Sequence, residues 1–303
     1  MRGFLCLSLF ILFSHTHGLG IGCNVEGLSY YDQDLKMCDQ LRAASEFGVP
    51  EGPWKGAVAV DSAGWPTADF SVILYDGSPL DEIWRITGAG RAPTIAPNAC
   101  SARVLNTSFS PSSNSFTAFV DTNAQNQVIL TFTNTDSGIR NLSVFRTSCA
   151  EGALFHPAYL AHISRCSLLR FLDFEQINDN NKTSWAAEKS FAFPQWTAGG
   201  APWGAAIALA NAINADVWVN IPTLADDDYV TQLAQLLLLQ LNPGAKIYTE
   251  FSNEVCVLRI GSLFYLLHSN CAPHSGGILA SPNSPGRWPG PMPASSSRAT
   301  PTT

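Results

Sequence analysis

The sequence predicts an α/β protein in which a parallel sheet is interrupted by an antiparallel β-sandwich and followed by a disordered tail. Near the start and after Pro157, apolar strand runs alternate with helical runs, the pattern of a parallel sheet. From Trp54 to Ala150, runs of branched and aromatic residues recur at roughly 8 to 12 residue intervals between turn-forming residues, which is typical of a sandwich. From Asn270 onward Ser, Pro and Gly dominate, which predicts disorder.

Residues 1–20 are typical of a secretory signal peptide. Arg2 precedes an apolar run of about 10 residues, and a bilayer-spanning helix needs about 20, so a membrane anchor is the weaker alternative and no membrane span is expected after signal removal. Three Asn-X-Ser/Thr triplets begin at Asn106, Asn141 and Asn181, which predicts a glycoprotein. The expected location is therefore extracellular.

Residues 21–53 are interpreted as one βα unit. Residues 20–31 are predicted to form a buried strand, and residues 32–47 a helix with Leu35, Cys38 and Leu41 on one face.

Residues 54–150 are predicted to form the inserted sandwich. Trp65 and Trp84 lie in this segment. Each could be a residue of the sandwich core or an exposed ring that binds carbohydrate. The strands are expected over residues 57–60, 70–75, 82–86, 115–120, 127–132 and 140–145.

Residues 151–255 are predicted to supply three further strands that alternate with helices. Helices are expected over residues 158–167, 203–214 and 226–241, and strands over residues 168–174, 216–221 and 245–251. Residues 256–303 do not continue this pattern and form an atypical, largely disordered tail in this prediction.

The cysteine pattern predicts disulfides and no zinc site. Seven cysteines remain after signal removal, so at least one thiol is left over, and no Cys-X-X-Cys spacing occurs. We expect one bridge, Cys100 to Cys149, with buried free thiols elsewhere.

Composition excludes several classes of function. The net charge is −7 with no Lys/Arg-rich run, which argues against a nucleic-acid-binding protein, and 46% hydrophobic residues exclude a chain disordered throughout. Glycine-rich nucleotide motifs and the Gly-X-Ser-X-Gly elbow are absent from the sequence, and its histidines form no metal-ligand pattern. No cofactor and no metal are therefore expected.

Polar residues follow the predicted strands of the second half. Asp173 ends one strand, Asn220 lies at the end of the next, and Asn253 and Glu254 follow the last. Ligands bind at the carboxyl ends of parallel strands, although Asp and Asn are also ordinary turn residues. Glu254 is the most informative of the four because Glu is not a preferred turn former.

The stretch IYTEFSNEV, which ends at Val255, resembles the Asn-Glu signature of clan-A glycoside hydrolases, which are (β/α)8 barrels. Together with FHP, RFLDF, WVNIP and ADDDYV, it looks like a family of secreted barrel proteins often labelled cellulose-binding or glycosidase-like. The resemblance covers roughly residues 20 to 255. It implies a partial (β/α)8 TIM-type barrel of about four βα units, with the sandwich inserted after the first.

The resemblance also implies a retaining glycosidase that acts on polysaccharide or oligosaccharide. Glu254 is then the general acid/base, and Asn253 contacts the sugar, with Asn220 and Asp173 as further substrate-binding residues. Retaining enzymes need a second carboxylate about 5 to 5.5 Å from the first. Glu250 would lie about 13 Å away on an extended strand, so Asp173 is the better geometric candidate. The clan's nucleophile on strand seven has no counterpart in this sequence.

Five aromatic residues are expected near this predicted site. They either stack on sugar rings or anchor loops as buried side chains. Trp185 and Trp203 are our candidates for substrate binding. The five are Tyr30, Tyr31, Trp185, Trp196 and Trp203.

Three hypotheses follow from the sequence. The first is a secreted glycoside-hydrolase-like protein that lacks the nucleophile. In this hypothesis the segment after Val255 is a truncated or alternatively spliced end, or an erroneous gene model. The second is a non-catalytic secreted carbohydrate-binding glycoprotein. The third is a misassembled translation product with no stable fold.

Overall fold

The computed structural model describes residues 20–253, in which strands predominate over helices. It contains eleven strands in three sheets and three α-helices, α1 (Pro157–Ile163), α2 (Trp203–Ile213) and α3 (Asp227–Gln240). The strands in chain order are β1 (Ile21–Asn24), β2 (Phe70–Leu80), β3 (Ile83–Ala89), β4 (Thr94–Pro97), β5 (Arg103–Ser110), β6 (Ser115–Asp121), β7 (Gln125–Thr133), β8 (Arg140–Arg146), β9 (Cys166–Arg170), β10 (Asp216–Ile221) and β11 (Ile247–Phe251).

The predicted partial TIM-type barrel is wrong. Only four strands are parallel, and they form an open sheet in the order β1-β9-β10-β11. The other seven strands belong to two antiparallel sheets, of order β2-β7-β4 and β5-β6-β3-β8. An α/β barrel requires a ring of parallel strands with a helix after each, and the described chain has neither.

The parallel sheet is built around very apolar strands. Leu169, Val217 and Val219 are at most 1% exposed, and α2 packs a surface of small residues against β9 and β10. Apolar residues on both faces of a strand are typical of parallel sheets because helices and loops cover them. Asp226 precedes α3 as its N-cap, and its side chain accepts the N–H of Tyr229 at 2.8 Å.

The two antiparallel sheets bury one common core, as in a β-sandwich. Phe70 and Phe132 stack with ring centroids 4.7 Å apart on one sheet, and Ile86 and Trp84 face them from the other. Trp84 is fully buried and Trp65 is 9% exposed, so both indoles belong to this core. Aromatic pairs of this kind add to the hydrophobic stabilisation of a core.

The predicted helix over residues 32–47 is absent, and only a 3₁₀ helix, Gln40–Ala43, forms there. The chain around Cys38 is extended because its backbone groups bond other segments: its N–H donates to Leu154 and its carbonyl accepts from Arg146, both at 2.9 Å. Leu41 and Phe47 then enter the sandwich core. Tertiary contacts override the helical periodicity here.

Several predicted boundaries differ from the structure. Residues 57–60 make only isolated bridges, and β4 and β5 lie where no strand was expected. The first α-helix of the second half ends at Ile163, and β9 begins at Cys166 instead of Leu168.

The predicted Cys100–Cys149 bridge is also wrong. The structure pairs Cys23 with Cys166 and Cys38 with Cys149, and Cys100 is free. Cys23 and Cys166 lie on the adjacent strands β1 and β9, whereas the Cys100 thiol bonds the carbonyl of Ile129. Two disulfides fit an extracellular protein. Within residues 20–253, no helix is long and apolar enough to cross a membrane.

Candidate functional site

A polar cluster, here called the strand-end cluster, lies at the carboxyl ends of β9, β10 and β11. It consists of Arg170, Asn178, Trp218, Asn220, Glu250, Ser252 and Asn253. The register explains why these side chains meet. Trp218 is opposite Arg170, Asn220 is opposite Glu250, and residues two apart on a strand share a face.

The Glu250 carboxylate is the centre of this cluster. Its Oε2 accepts from Arg170 Nη2 at 2.8 Å and Nε at 3.3 Å, from Trp218 Nε1 at 3.0 Å and from Asn220 Nδ2 at 2.7 Å. The Arg170 guanidinium also lies over the Trp218 ring, 5.1 Å from its centroid. Four N–H bonds to one oxygen stabilise the ionised carboxylate and fix its position.

Asn253 is held at the edge of the cluster by two hydrogen bonds. Its Oδ1 accepts from Arg170 Nη2 at 2.8 Å, and its Nδ2 donates to Asn178 Oδ1 at 2.9 Å. The preceding residue, Ser252, has a left-handed backbone with φ of 57°. Strained backbone of this kind is typical of functional sites, where surrounding contacts maintain it. Here Asn220 Nδ2 donates to the Ser252 carbonyl at 2.9 Å.

Asn220 supplies an unused acceptor. The residue is completely buried, its amide nitrogen donates to both Glu250 and Ser252, and its Oδ1 has no donor among the described residues. A buried oxygen without a donor costs about 1–3 kcal/mol. The hydrogen bonds that its amide nitrogen makes to Glu250 and Ser252 hold the residue in place despite this cost.

The predicted site residues divide between this cluster and other places. Asn220 and Asn253 belong to it, and Glu254 lies outside the described residues. Asp173 is exposed three residues beyond Arg170 and does not contact the cluster through any hydrogen bond of the structure. The expected pairing of Asp173 with Glu254 stays a prediction, because Glu254 lies outside the described residues.

Two of the five predicted aromatic residues are buried, two are half-buried and one is exposed. Trp196 and Trp203 are at most 1% exposed, which matches the loop-anchoring interpretation. Trp203 Nε1 donates to the Tyr229 hydroxyl at 2.9 Å, and half-buried Trp185 packs edge-on against Tyr229. Tyr31 is 59% exposed and forms a pair with its neighbour in sequence.

Sequence reasoning missed Arg170, Trp218 and Asn178. Arg170 could have been found from the sequence, since an Arg in the middle of the apolar strand run LLRF needs a partner for its charge. That partner, Glu250, lies 80 residues away in sequence, so the pairing required the register of the sheet.

A second polar cluster, here called the buried acid pair, lies in the loop between β9 and α2. Glu175 is fully buried, and neither of its carboxyl oxygens has a donor within the described chain. Glu188 accepts from Lys182 Nζ and from the Tyr229 hydroxyl through Oε2, both at 2.9 Å, while its Oε1 has no donor there. Burial, and then the charge of Glu188, raise the pKa of Glu175 well above its ordinary value.

Residues 20–253 contain no group of three or more His, Cys, Asp or Glu side chains placed to hold a metal ion. The predicted glycosylation residues Asn106, Asn141 and Asn181 are all exposed. Comparison of the chain with protein-family models, curated proteins and solved structures finds no match. The resemblance to glycoside hydrolases therefore stays a prediction.

Proposed function

We propose that this chain is a secreted, glycoside-hydrolase-like protein whose strand-end cluster binds a sugar of a polysaccharide or oligosaccharide. The observation that carries the proposal is the hydrogen-bonded set of half-buried Arg170, Glu250 and Asn253 at the carboxyl ends of the strands. Sugar hydroxyls both donate and accept hydrogen bonds, so a cluster of amide, guanidinium and carboxylate groups is suited to them.

The position of the cluster supports the same proposal. Ligands of parallel α/β sheets bind beyond the carboxyl ends of the strands, and three consecutive members of this sheet contribute to the cluster. Its side chains are fixed by hydrogen bonds before any ligand arrives. Binding then costs less conformational entropy.

Hydrolysis would use Glu254, which follows Asn253 in sequence, as the general acid/base. That role rests on the resemblance. The nucleophile of a retaining enzyme would have to be a second carboxylate with an available oxygen. Glu250 is unsuited to it because four N–H bonds stabilise its Oε2, which lowers the nucleophilicity of that oxygen.

The engagement of Glu250 favours the second candidate, a non-catalytic carbohydrate-binding glycoprotein. In this form the strand-end cluster recognises sugar without cleaving it. Secretion is proposed for both candidates from the leader-like residues 1–20 and the two disulfides.

The test combines binding and hydrolysis on the full secreted chain. Fragments of β-linked glucan, xylan and mannan of two and six sugar units are titrated by calorimetry, and reducing ends are counted after long incubation. We expect at least one two-unit fragment to bind and Asn253→Ala to weaken that binding about tenfold or more. The exposed change Glu151→Gln serves as the control and should leave binding unaltered.

The variant Glu254→Gln separates the two candidates. Hydrolysis that this change abolishes, with binding retained, assigns the enzyme, whereas binding without hydrolysis in either form assigns the binding protein. If no fragment binds the native chain, the proposal is wrong.

A further inference from the structure

A second concave surface, here called the cleft, shares no lining residue with the strand-end cluster. It comprises two sites of about 310 and 360 Å³. Both sites are lined by Glu46, Thr197 and Ala198, so they are adjoining parts of the cleft.

Aromatic side chains form one end of the cleft. Trp54 is 59% exposed, although large aromatic residues are ordinarily buried in monomeric proteins. One side of its indole packs on Gly52, where an added Cβ would lie 2.9 Å from the ring. Tyr30 lines the same site and packs on Tyr31 with ring centroids 4.0 Å apart. Rings held in this way are platforms for the apolar faces of sugars.

Polar groups also line the cleft. Glu46 and Lys189 carry opposite charges, and Lys189 donates to the carbonyls of Gln195 and Ala198. Burial lowers the pKa of Lys189 to about 8. Gln195 donates through its amide nitrogen to the Ser45 carbonyl. The amide oxygen of Gln195 can therefore act as an acceptor.

The cleft is rigid because its two sides are bonded together. Trp196 donates its backbone N–H to the Arg42 carbonyl at 2.9 Å, and the Thr197 hydroxyl donates to the Ala44 carbonyl at 2.8 Å. Arg42 donates to the Phe193 carbonyl and its guanidinium lies 4.7 Å from the Trp196 ring centroid. A binding surface ordered in advance loses less entropy on association.

The cleft is built from loops that leave the same edge of the sheet as the strand-end cluster. Tyr30 follows the carboxyl end of β1, and the segment from Lys189 to Ala198 follows that of β9. Gln176, close after β9, accepts the N–H of Gly199 at 2.8 Å and so ties this segment to the strand end.

We infer that the cleft binds additional sugar units of an extended polysaccharide, with Trp54 as the stacking platform and Glu46, Lys189 and Gln195 as hydroxyl partners. The inference rests on the proposed function and deepens it. A chain of several sugars, and not a disaccharide alone, is then the ligand.

The test compares two-unit and six-unit fragments of the backbone that the native chain binds. We expect the six-unit fragment to bind more tightly, and Trp54→Ala to lower its affinity about tenfold without altering the affinity for the two-unit fragment. Trp54→Phe keeps a stacking ring and should restore most of the affinity. Phe109→Ala removes an exposed aromatic residue on β5 and is the matched control.

The outcomes separate this inference from the proposed function. If Asn253→Ala weakens binding while Trp54→Ala leaves both fragments within twofold of the native affinity, the cleft is not a sugar site and the proposed function stands. If Trp54→Ala weakens both fragments equally, the cleft does not supply additional units and the inference is also wrong. Absence of all binding by the native chain overturns both proposals.

Discussion

The buried acid pair should make the stability of the protein fall as pH rises, and Glu175→Gln should remove that effect. Glu175 is fully buried with no donor to either oxygen within residues 20–253, and Glu188 places a second carboxylate near it. Both conditions disfavour the ionised form and raise the pKa of Glu175 in the folded state. In the unfolded chain the same carboxyl group has a pKa of about 4.3.

The sign follows from proton linkage. Below about pH 4.3 Glu175 is protonated in both states and contributes no pH dependence. Above that pH the unfolded chain ionises first, so folding requires proton uptake and loses about 1.4 kcal/mol per pH unit until the folded-state pKa is reached. Glutamine is neutral in both states. The variant therefore gains stability relative to the native chain as pH rises, by roughly 3–6 °C in Tm per pH unit for a domain of this size.

The measurement is the Tm of both proteins from pH 4 to pH 7, followed by circular dichroism. We expect similar values at pH 4 and a gap that widens toward pH 6. Glu151→Gln is the control, because Glu151 is an exposed partner of Arg85 and such pairs contribute at most about 1 kcal/mol. A gap between Glu175→Gln and the native chain that is constant, or that narrows as pH rises, would refute this reasoning.

Three further changes test the fold. Replacing Cys38 and Cys149 by Ser removes a disulfide between residues 111 positions apart, and should lower the free energy of unfolding in urea by about 2–5 kcal/mol. Peptide mapping of the native chain should recover this disulfide. Asp226→Ala removes the N-cap of α3 and should cost about 1 kcal/mol, while an equal loss from Asp226→Asn would contradict a capping role. Arg146→Ala leaves the Glu82 carboxylate without its buried guanidinium partner at 2.6 Å and should cost about 3–5 kcal/mol. A loss below 1 kcal/mol, again by urea unfolding, would show that this pair is not structural.

Regular periodicity made some elements predictable from sequence. The strand Asp216–Ile221 has the predicted bounds, α2 ends one residue before its predicted end, and α3 is one residue shorter than predicted at each end. These segments combine an apolar run with clear end signals, such as the acidic first turn of α3 and Asn214 in a left-handed conformation after α2.

Elements that depend on distant partners were not predictable. Residues 32–47 have helical spacing, yet the disulfide at Cys38 and the bonds to Leu154 and Arg146 hold the chain extended. β5 escaped detection because five of its eight residues are polar and none is buried, so its sequence does not alternate between apolar and polar residues. The barrel prediction failed for the same reason, since closure of a sheet depends on all of its strands together.

Part of the strand-end cluster could be predicted from the sequence. Polar residues at strand ends pointed to Asn220 and Asn253, because that position is a physical consequence of parallel strands. Arg170 and Glu250 were missed as a pair because a register between β9, β10 and β11 brings them together.

The connection between β9 and α2 links all the features described above. It supplies Asn178 to the strand-end cluster, Glu175 and Glu188 to the buried acid pair, and Lys189 to the cleft. Connections of this length without α-helix or strand are uncommon in compact domains and are usually functional or disordered. This one is anchored by the completely buried Trp196, so disorder is not the explanation. If the proposed function is right, mutations that loosen this connection should weaken sugar binding at the cluster and at the cleft together, as measured by calorimetry with the six-unit fragment.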